Sequence, residues 1–71
     1  AELLEFLVKP NSKITRKLIK DLKFPSSAII GGVIREGKGS IPLGSFKIEG
    51  GDRVVVCCLP RAISEVETFF S

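Results

Sequence analysis

The side chains best suited to chemistry are an aspartate in a glycine turn and two adjacent cysteines. Asp52 follows Gly51, and Cys57 stands next to Cys58. The chain has no histidine, so it lacks the usual general base near neutral pH and the commonest metal ligand. Two thiols alone do not complete a zinc site. An aspartate in a glycine turn usually hydrogen-bonds its own loop. The sequence therefore predicts a structural turn at Gly51 and Asp52, no catalytic residues, no metal site and no enzyme.

The two cysteines are expected to be structural. They lie in the stretch with the strongest β-propensity, residues 53–59. Neighbouring side chains on a strand point to opposite faces, so these thiols are not expected to bridge each other. Free thiols in an apolar strand suit a reducing cytosol. We interpret both as small buried hydrophobic side chains rather than as a redox centre.

Positive charge is concentrated in residues 9–23. Six Lys or Arg residues stand there against Asp21 alone, a local balance of +5 within a net charge of +3. Such a stretch is typical of a solvated helix face, or of a surface for phosphate, nucleic acid or an acidic partner. No aromatic residue precedes Phe24 in it, so a stacking platform for single-stranded nucleic acid is not predicted. A basic module for nucleic acid or an acidic partner is the alternative function, with nucleic acid the less favoured partner.

Length and composition favour one small binding or regulatory domain. The chain has 71 residues, of which 44% are apolar, enough for a limited core but not for two domains. No stretch approaches the roughly 20 apolar residues of a membrane span, so direct membrane insertion is not expected. The chain begins inside a predicted strand and without methionine. We therefore expect residues 1–71 to be a single domain excised from a longer protein.

The elements that must position these residues form a two-layer α+β unit. Hydrophobic periodicity predicts a small mixed or antiparallel sheet and two helices, in the order β-α-β-β-β-α. The pair Gly31 and Gly32 indicates a bulge or a close approach in the second strand. The predicted elements are strands 2–9, 28–35, 40–42 and 53–59, a helix over 15–22 capped by Thr15, and a final helix beginning at Pro60.

The sheet is expected to be apolar on both faces. Strand 53–59 places Val54, Val56 and Cys58 on one face and Val55, Cys57 and Leu59 on the other. Two short helices cover only one face, and each Val, Ile or Leu buried elsewhere contributes about 1.5–3 kcal/mol. A second copy of the chain is the simplest cover, so the sequence predicts a homodimer. The alternative is that loop 36–51 folds back as a lid.

The order of motifs across nearly the whole chain resembles the TrkA C-terminal domain, also called the RCK C-terminal domain. That family combines an apolar strand ending in Arg, a Gly turn, Pro-x-Gly, an apolar spacer, Gly-Asp, an apolar strand and a final helix. The matching positions are Arg35, Gly37, Pro42, Gly44, Ile48, Gly51 with Asp52, Val54 to Val56 and Ile63 to Phe70.

The resemblance implies a cytoplasmic regulatory domain of a potassium or other cation uptake system, channel or transporter, acting with a membrane-embedded subunit. Some members bind cyclic di-AMP or a divalent cation at the dimer seam, and no cofactor is implied within this stretch. The corresponding effector-binding residues here are Ile29, Ile30, Arg35 and Pro42. Of these, only Arg35 can form a bidentate pair of hydrogen bonds to a phosphate. Its alternative role is an exposed charge that ends a strand.

Overall fold

Four antiparallel strands form the sheet of a computed structural model that describes residues 1–71. The strand order is β1-β4-β2-β3, with every neighbouring pair antiparallel. The α+β class with a small antiparallel sheet is therefore confirmed. The strands are β1 (Glu2–Leu7), β2 (Ala28–Arg35), β3 (Lys38–Ser40) and β4 (Arg53–Cys58).

Glycines shape β2 and the turn that follows it. The register of β2 against β4 shifts between Ile30 and Gly32, which confirms the predicted bulge. Glu36 and Gly37 both have positive φ, 51° and 79°, the geometry of a tight two-residue hairpin. This turn pairs Arg35 with Lys38, so the short strand begins earlier than the predicted 40–42 and ends before Pro42.

The predicted helix over residues 15–22 is wrong. The segment contains two 3₁₀ helices instead, Lys13–Thr15 and Ile19–Asp21. The backbone N–H groups of Ile19 and Lys20 donate to the carbonyls of Phe46 and Gly44, each at 3.0 Å. These long-range bonds replace the bonds that would continue a helix through this point. Thr15 donates its hydroxyl to the Ser12 carbonyl at 2.7 Å rather than capping a helix.

The C-terminal helix is confirmed. A 3₁₀ turn, Pro60–Ala62, leads into α1 (Ile63–Phe69). None of the helices is long and apolar enough to cross a membrane.

The core lies between one face of the sheet and the layer formed by α1 and residues 9–23. Val54 and Val56 are fully buried on this sheet face, and the rings of Phe6 and Phe70 stack with centroids 4.0 Å apart. The other buried apolar residues are Val8, Ile14, Leu22, Val33, Ile48, Cys58, Ala62, Val66 and Phe69.

Candidate functional site

The second face of the sheet is exposed and apolar. Leu3, Leu7 and Ile29 are 73%, 64% and 67% exposed. Cys57 lies between Leu3 on β1 and Ile29 on β2 and is exposed, so the expectation that both cysteines are buried is wrong for Cys57. Strand alternation places Cys57 on the opposite face from the buried Cys58. We call this surface the open face.

Loop 36–51 does not cover the open face. Its residue Ile48 is fully buried and belongs to the core on the other side of the sheet. The interpretation of this loop as a lid is therefore wrong. The uncovered apolar face on which the dimer prediction depends is present in the single chain.

A shallow cavity lies at one end of the open face. It has a volume of about 270 Å³, and Ile29, Cys57 and Leu59 form much of its apolar lining. Ser26 and Ser27 also line it. The cavity therefore offers a mainly apolar surface, and its volume lies just below the range of typical small-ligand sites.

Arg35 and Asp52 form the main ion pair of the molecule. The Arg35 Nε donates to Asp52 Oδ1 at 2.9 Å, and Nη2 donates to Oδ2 at 2.8 Å. The same Nη2 donates to the Lys47 carbonyl at 3.0 Å, and the guanidinium carbon stands 4.9 Å from the centre of the Phe46 ring. Arg35 is therefore not a free charge at a strand end but ties loop 36–51 to the sheet.

The backbone of the glycine turn holds the carboxylate of Asp52 in place. Gly51 has φ +92°, a conformation that favours glycine, and its N–H donates to the Val8 carbonyl at 2.9 Å. The Glu49 N–H donates to Asp52 Oδ2 at 2.9 Å. The predicted structural role of this turn thus extends to Arg35, a partner 17 positions away in sequence.

The pair shifts both ionisation equilibria. Its hydrogen bond from Arg35 lowers the pKa of Asp52 below 3.8, against the opposing effect of burial, and the Glu49 N–H adds to the lowering. The hydrogen bond to Asp52 raises the pKa of Arg35. Both groups are therefore charged at neutral pH, and the ion pair is fully formed.

The structure separates the four residues expected to bind an effector. Ile29 lies on the open face and lines its cavity. Ile30 pairs with the buried Val56 and packs against the core, so its side chain faces the other way. Arg35 is engaged by Asp52, and Pro42 is half-buried just after β3.

Ile29 and Ile30 nevertheless lie on one stretch of unpaired strand edge. β3 pairs only with Val33, Ile34 and Arg35 of β2, so Ala28–Gly32 has no strand partner on that side. Main-chain donors and acceptors on such an edge are ready to bind a ligand or another chain. The backbone of Ile30 can therefore contact a ligand at this edge, whereas its side chain packs against the core.

Sequence reasoning missed the partners that hold Arg35. The glycine-aspartate turn was a local signal, but nothing in the spacing linked it to the end of β2. The carbonyl of Lys47 and the ring of Phe46 also carry no pattern that identifies them as contacts. No group of three or more His, Cys, Asp or Glu side chains is arranged to hold a metal ion.

The model of the TrkA-C domain family matches residues 3–71. This chain belongs to the TrkA-C domain family. Over 70 residues it is 40% identical to the Trk system potassium uptake protein TrkA homolog 1 of Methanosarcina mazei. The match covers 99% of this chain but 16% of that protein, so the chain spans about a sixth of the relative's length.

Solved structures agree with this family assignment. A structure described as an RCK domain with cda matches with a TM-score of 0.83 and 20% identity over 100% of both chains, which shows the shared fold. The RCK_C domain dimer of S. agalactiae BusR in complex with c-di-AMP gives a TM-score of 0.79 and 25% identity. That match covers 96% of this chain and 88% of the BusR chain. BusR has also been solved with its busAB-promotor DNA, where the match covers 35% of that chain.

Proposed function

We propose that this TrkA-C domain is the dimerising, effector-sensing regulatory part of a potassium uptake protein. In this proposal it works on the cytoplasmic side with a membrane-embedded transporter or channel subunit, and it is not an enzyme. The TrkA homolog of M. mazei supports the transport system. The observation that carries the proposal is the open face, since a sheet side with Leu3, Leu7 and Ile29 each more than 60% exposed needs a partner.

The proposed partner is a second copy of the chain. A two-fold pairing of open faces buries the same apolar residues from both copies, and each Leu or Ile buried contributes about 1.5–3 kcal/mol. The BusR domain with the same fold is a dimer. Glu5 and Arg53 form an ion pair at 3.1 Å on the same face, where Glu5 lies between Leu3 and Leu7 along β1, so the proposed interface also contains a polar pair.

The proposed effector is cyclic di-AMP, which the BusR dimer binds. Its contacts are assigned to Ile29, Ile30, Arg35 and Pro42. Ile29 offers an apolar surface to a base, and Ile30 offers its main chain at the unpaired edge of β2. Arg35 Nη1 stands 3.9 Å from Glu49 Oε2, whereas Nε and Nη2 donate to Asp52 and the Lys47 carbonyl, so a phosphate that binds Nη1 competes with Glu49.

The ligand regulates by preferring one dimer geometry. An effector shifts an equilibrium only by its difference in affinity between two states. Residues from both copies border the seam, so a ligand held there binds more tightly to the geometry that brings the two sites together. The remainder of the full-length protein would convert that preference into a change at the pore.

Sedimentation velocity over a concentration series tests the assembly. We expect a dimer that dissociates on dilution, with Leu7→Lys raising the dissociation constant at least tenfold because it places a charge in the apolar interface. Leu43→Lys is the matched control, since Leu43 is 74% exposed but lies outside the sheet. A monomer at every concentration would contradict the dimer.

Isothermal titration calorimetry tests the effector. Cyclic di-AMP is expected to bind with one ligand per dimer and to bind at least tenfold more weakly to Ile29→Lys. If the protein is dimeric but shows no heat of binding at two temperatures, the proposal that it binds cyclic di-AMP is contradicted and only the proposed role in dimerisation stands.

A further inference from the structure

A group of cations on the core side of the sheet has no carboxylate partner. All six of its residues are exposed. The salt bridges of the molecule involve Arg35 and Arg53 only, so none of these cations takes part in one. The group consists of Lys9, Lys13, Arg16, Lys17, Lys20 and Lys23.

Three of these cations line one cavity. Lys13, Arg16 and Lys17, together with Leu22, line a space of about 240 Å³. Most of its surface is apolar and comes from Leu22, which is only 5% exposed, and from the carbon stems of the three long side chains. The break between the two 3₁₀ helices creates this geometry, since Lys13 lies in the first helix and Arg16 and Lys17 follow it directly.

Two of the three side chains are already held in position. The Lys13 ammonium stands 4.4 Å from the centre of the Phe69 ring, and Arg16 Nη2 donates to the Asn11 carbonyl at 3.2 Å. Neither contact neutralises the charge, and the Arg16 guanidinium keeps most of its five N–H donors. The side-chain entropy that a ligand must overcome is therefore reduced before it arrives.

This arrangement suits a phosphate group. Gathered like charges repel one another, so an anion that binds here stabilises the fold. An arginine presents a planar fork to phosphate oxygens, and lysine adds point charge. The volume is below that of typical drug-sized ligand sites and fits one or two phosphate groups.

We propose that the cavity of Lys13, Arg16 and Lys17 binds the phosphate group of a soluble phosphorylated compound or of a lipid headgroup. The site is independent of the open face and of the proposed effector, because it lies on the other side of the sheet.

Two titrations followed by amide NMR spectra distinguish the sources. Pyrophosphate represents the soluble compound, with sodium chloride at equal ionic strength as the reference. Vesicles of phosphatidylcholine with and without phosphatidylglycerol represent the headgroup. In at least one titration we expect saturable changes confined to residues 11–23 that chloride or pure phosphatidylcholine does not cause.

Charge-matched variants test the assignment. Arg16→Gln with Lys17→Gln is expected to weaken the binding at least tenfold. The single variant Lys17→Gln, which leaves the contact of Arg16 with Asn11 intact, is expected to weaken it severalfold. Lys38→Gln with Lys47→Gln removes two charges elsewhere and is expected to bind like the parent. Changes that do not saturate, or an equal response in both double variants, would overturn the proposal.

Discussion

Both faces of the sheet carry apolar side chains, but one face is covered by the chain and the other is exposed. On the core face Val54 and Val56 are fully buried, whereas on the open face Leu3 and Ile29 are 73% and 67% exposed. The cross-strand neighbour of both Leu3 and Ile29 is Cys57, so the exposed residues form one continuous patch. The difference shows that the pattern of apolar side chains identifies a sheet face that must be buried, but does not identify the segment or partner that packs against it.

Each face also has its own ion pair. On the core side, Asp52 is 2% exposed and accepts two hydrogen bonds from Arg35 and one from a backbone N–H. On the open face, Glu5 and Arg53 meet at 3.1 Å with both side chains more than half exposed. We expect the first pair to stabilise the fold and the second to contribute little to the single chain.

The largest contrast is expected from one substitution made on each side of the sheet. Ile48→Ala removes a fully buried side chain and is expected to lower the free energy of unfolding by about 2–5 kcal/mol. Ile29→Ala makes the same chemical change on the open face and is expected to cost less than about 0.5 kcal/mol in the monomer. Urea unfolding at low protein concentration measures both, and equal losses would contradict the contrast between the faces.

The next largest contrast is between the ion pairs. Asp52→Asn removes the charge that faces Arg35 and is expected to cost about 1.5–3 kcal/mol. Glu5→Gln is its counterpart on the open face and is expected to change stability by at most about 1 kcal/mol. Thermal unfolding of both variants tests the difference. A loss with Glu5→Gln as large as that with Asp52→Asn would show that the open face is covered in solution.

The pH dependence of the free energy of unfolding tests the contribution of the Arg35–Asp52 ion pair. The pKa of Asp52 is lowered in the folded chain, chiefly by Arg35. The unfolded chain therefore binds the proton first as the pH falls, and the stability from this pair decreases below about pH 3.8. Urea unfolding between pH 7 and pH 2.5 measures the slope, which is expected to be smaller in Asp52→Asn. An unchanged slope in that variant would exclude Asp52 as its source.

The smallest expected effect is a difference in the rate at which the two adjacent cysteines react with a thiol reagent. Cys57 is exposed on the open face and Cys58 is buried in the core, so a thiol reagent is expected to label Cys57 in the folded chain and Cys58 only on unfolding. Labelling of Cys57 is expected to slow as protein concentration rises, because the dimer covers it. The variant Cys57→Ser reports Cys58 alone and serves as the control. A labelling rate of Cys57 that is independent of concentration would argue against burial of the open face between copies.

Much of the sheet could be predicted from sequence, because its signals are local. The strong β-propensity of residues 53–59 and the glycine pair at Gly31 and Gly32 indicated β4 and the bulge in β2, and Pro60 indicated where the last helical segment begins. No such local signal shows that residues 15–22 do not form a regular helix. The backbone bonds of this segment go to Gly44 and Phe46, and no local pattern describes an acceptor that distant in sequence.

The features of the candidate site likewise divide into those that local sequence indicates and those that depend on tertiary contacts. Strand alternation puts Ile29 and Ile30 on opposite faces of β2 without deciding which face is the core, and composition indicates the turn at Gly51 and Asp52. The engagement of Arg35 by Asp52 depends on the pairing of β2 with β4, which brings the two ends together. The effector contacts of Ile29, Ile30, Arg35 and Pro42 stay a prediction.

By itself, the amino-acid sequence determined the strands, the bulge, the aspartate turn and the presence of apolar side chains on both sides of one sheet, because each follows from residue type and spacing along a few neighbouring positions. Only the tertiary structure decided that the chain covers one side and leaves the other exposed. It also decided that Arg35 is held by Asp52 and that three cations line one cavity. These features depend on which distant segments come into contact, and burial and charge pairing act through space rather than along the chain.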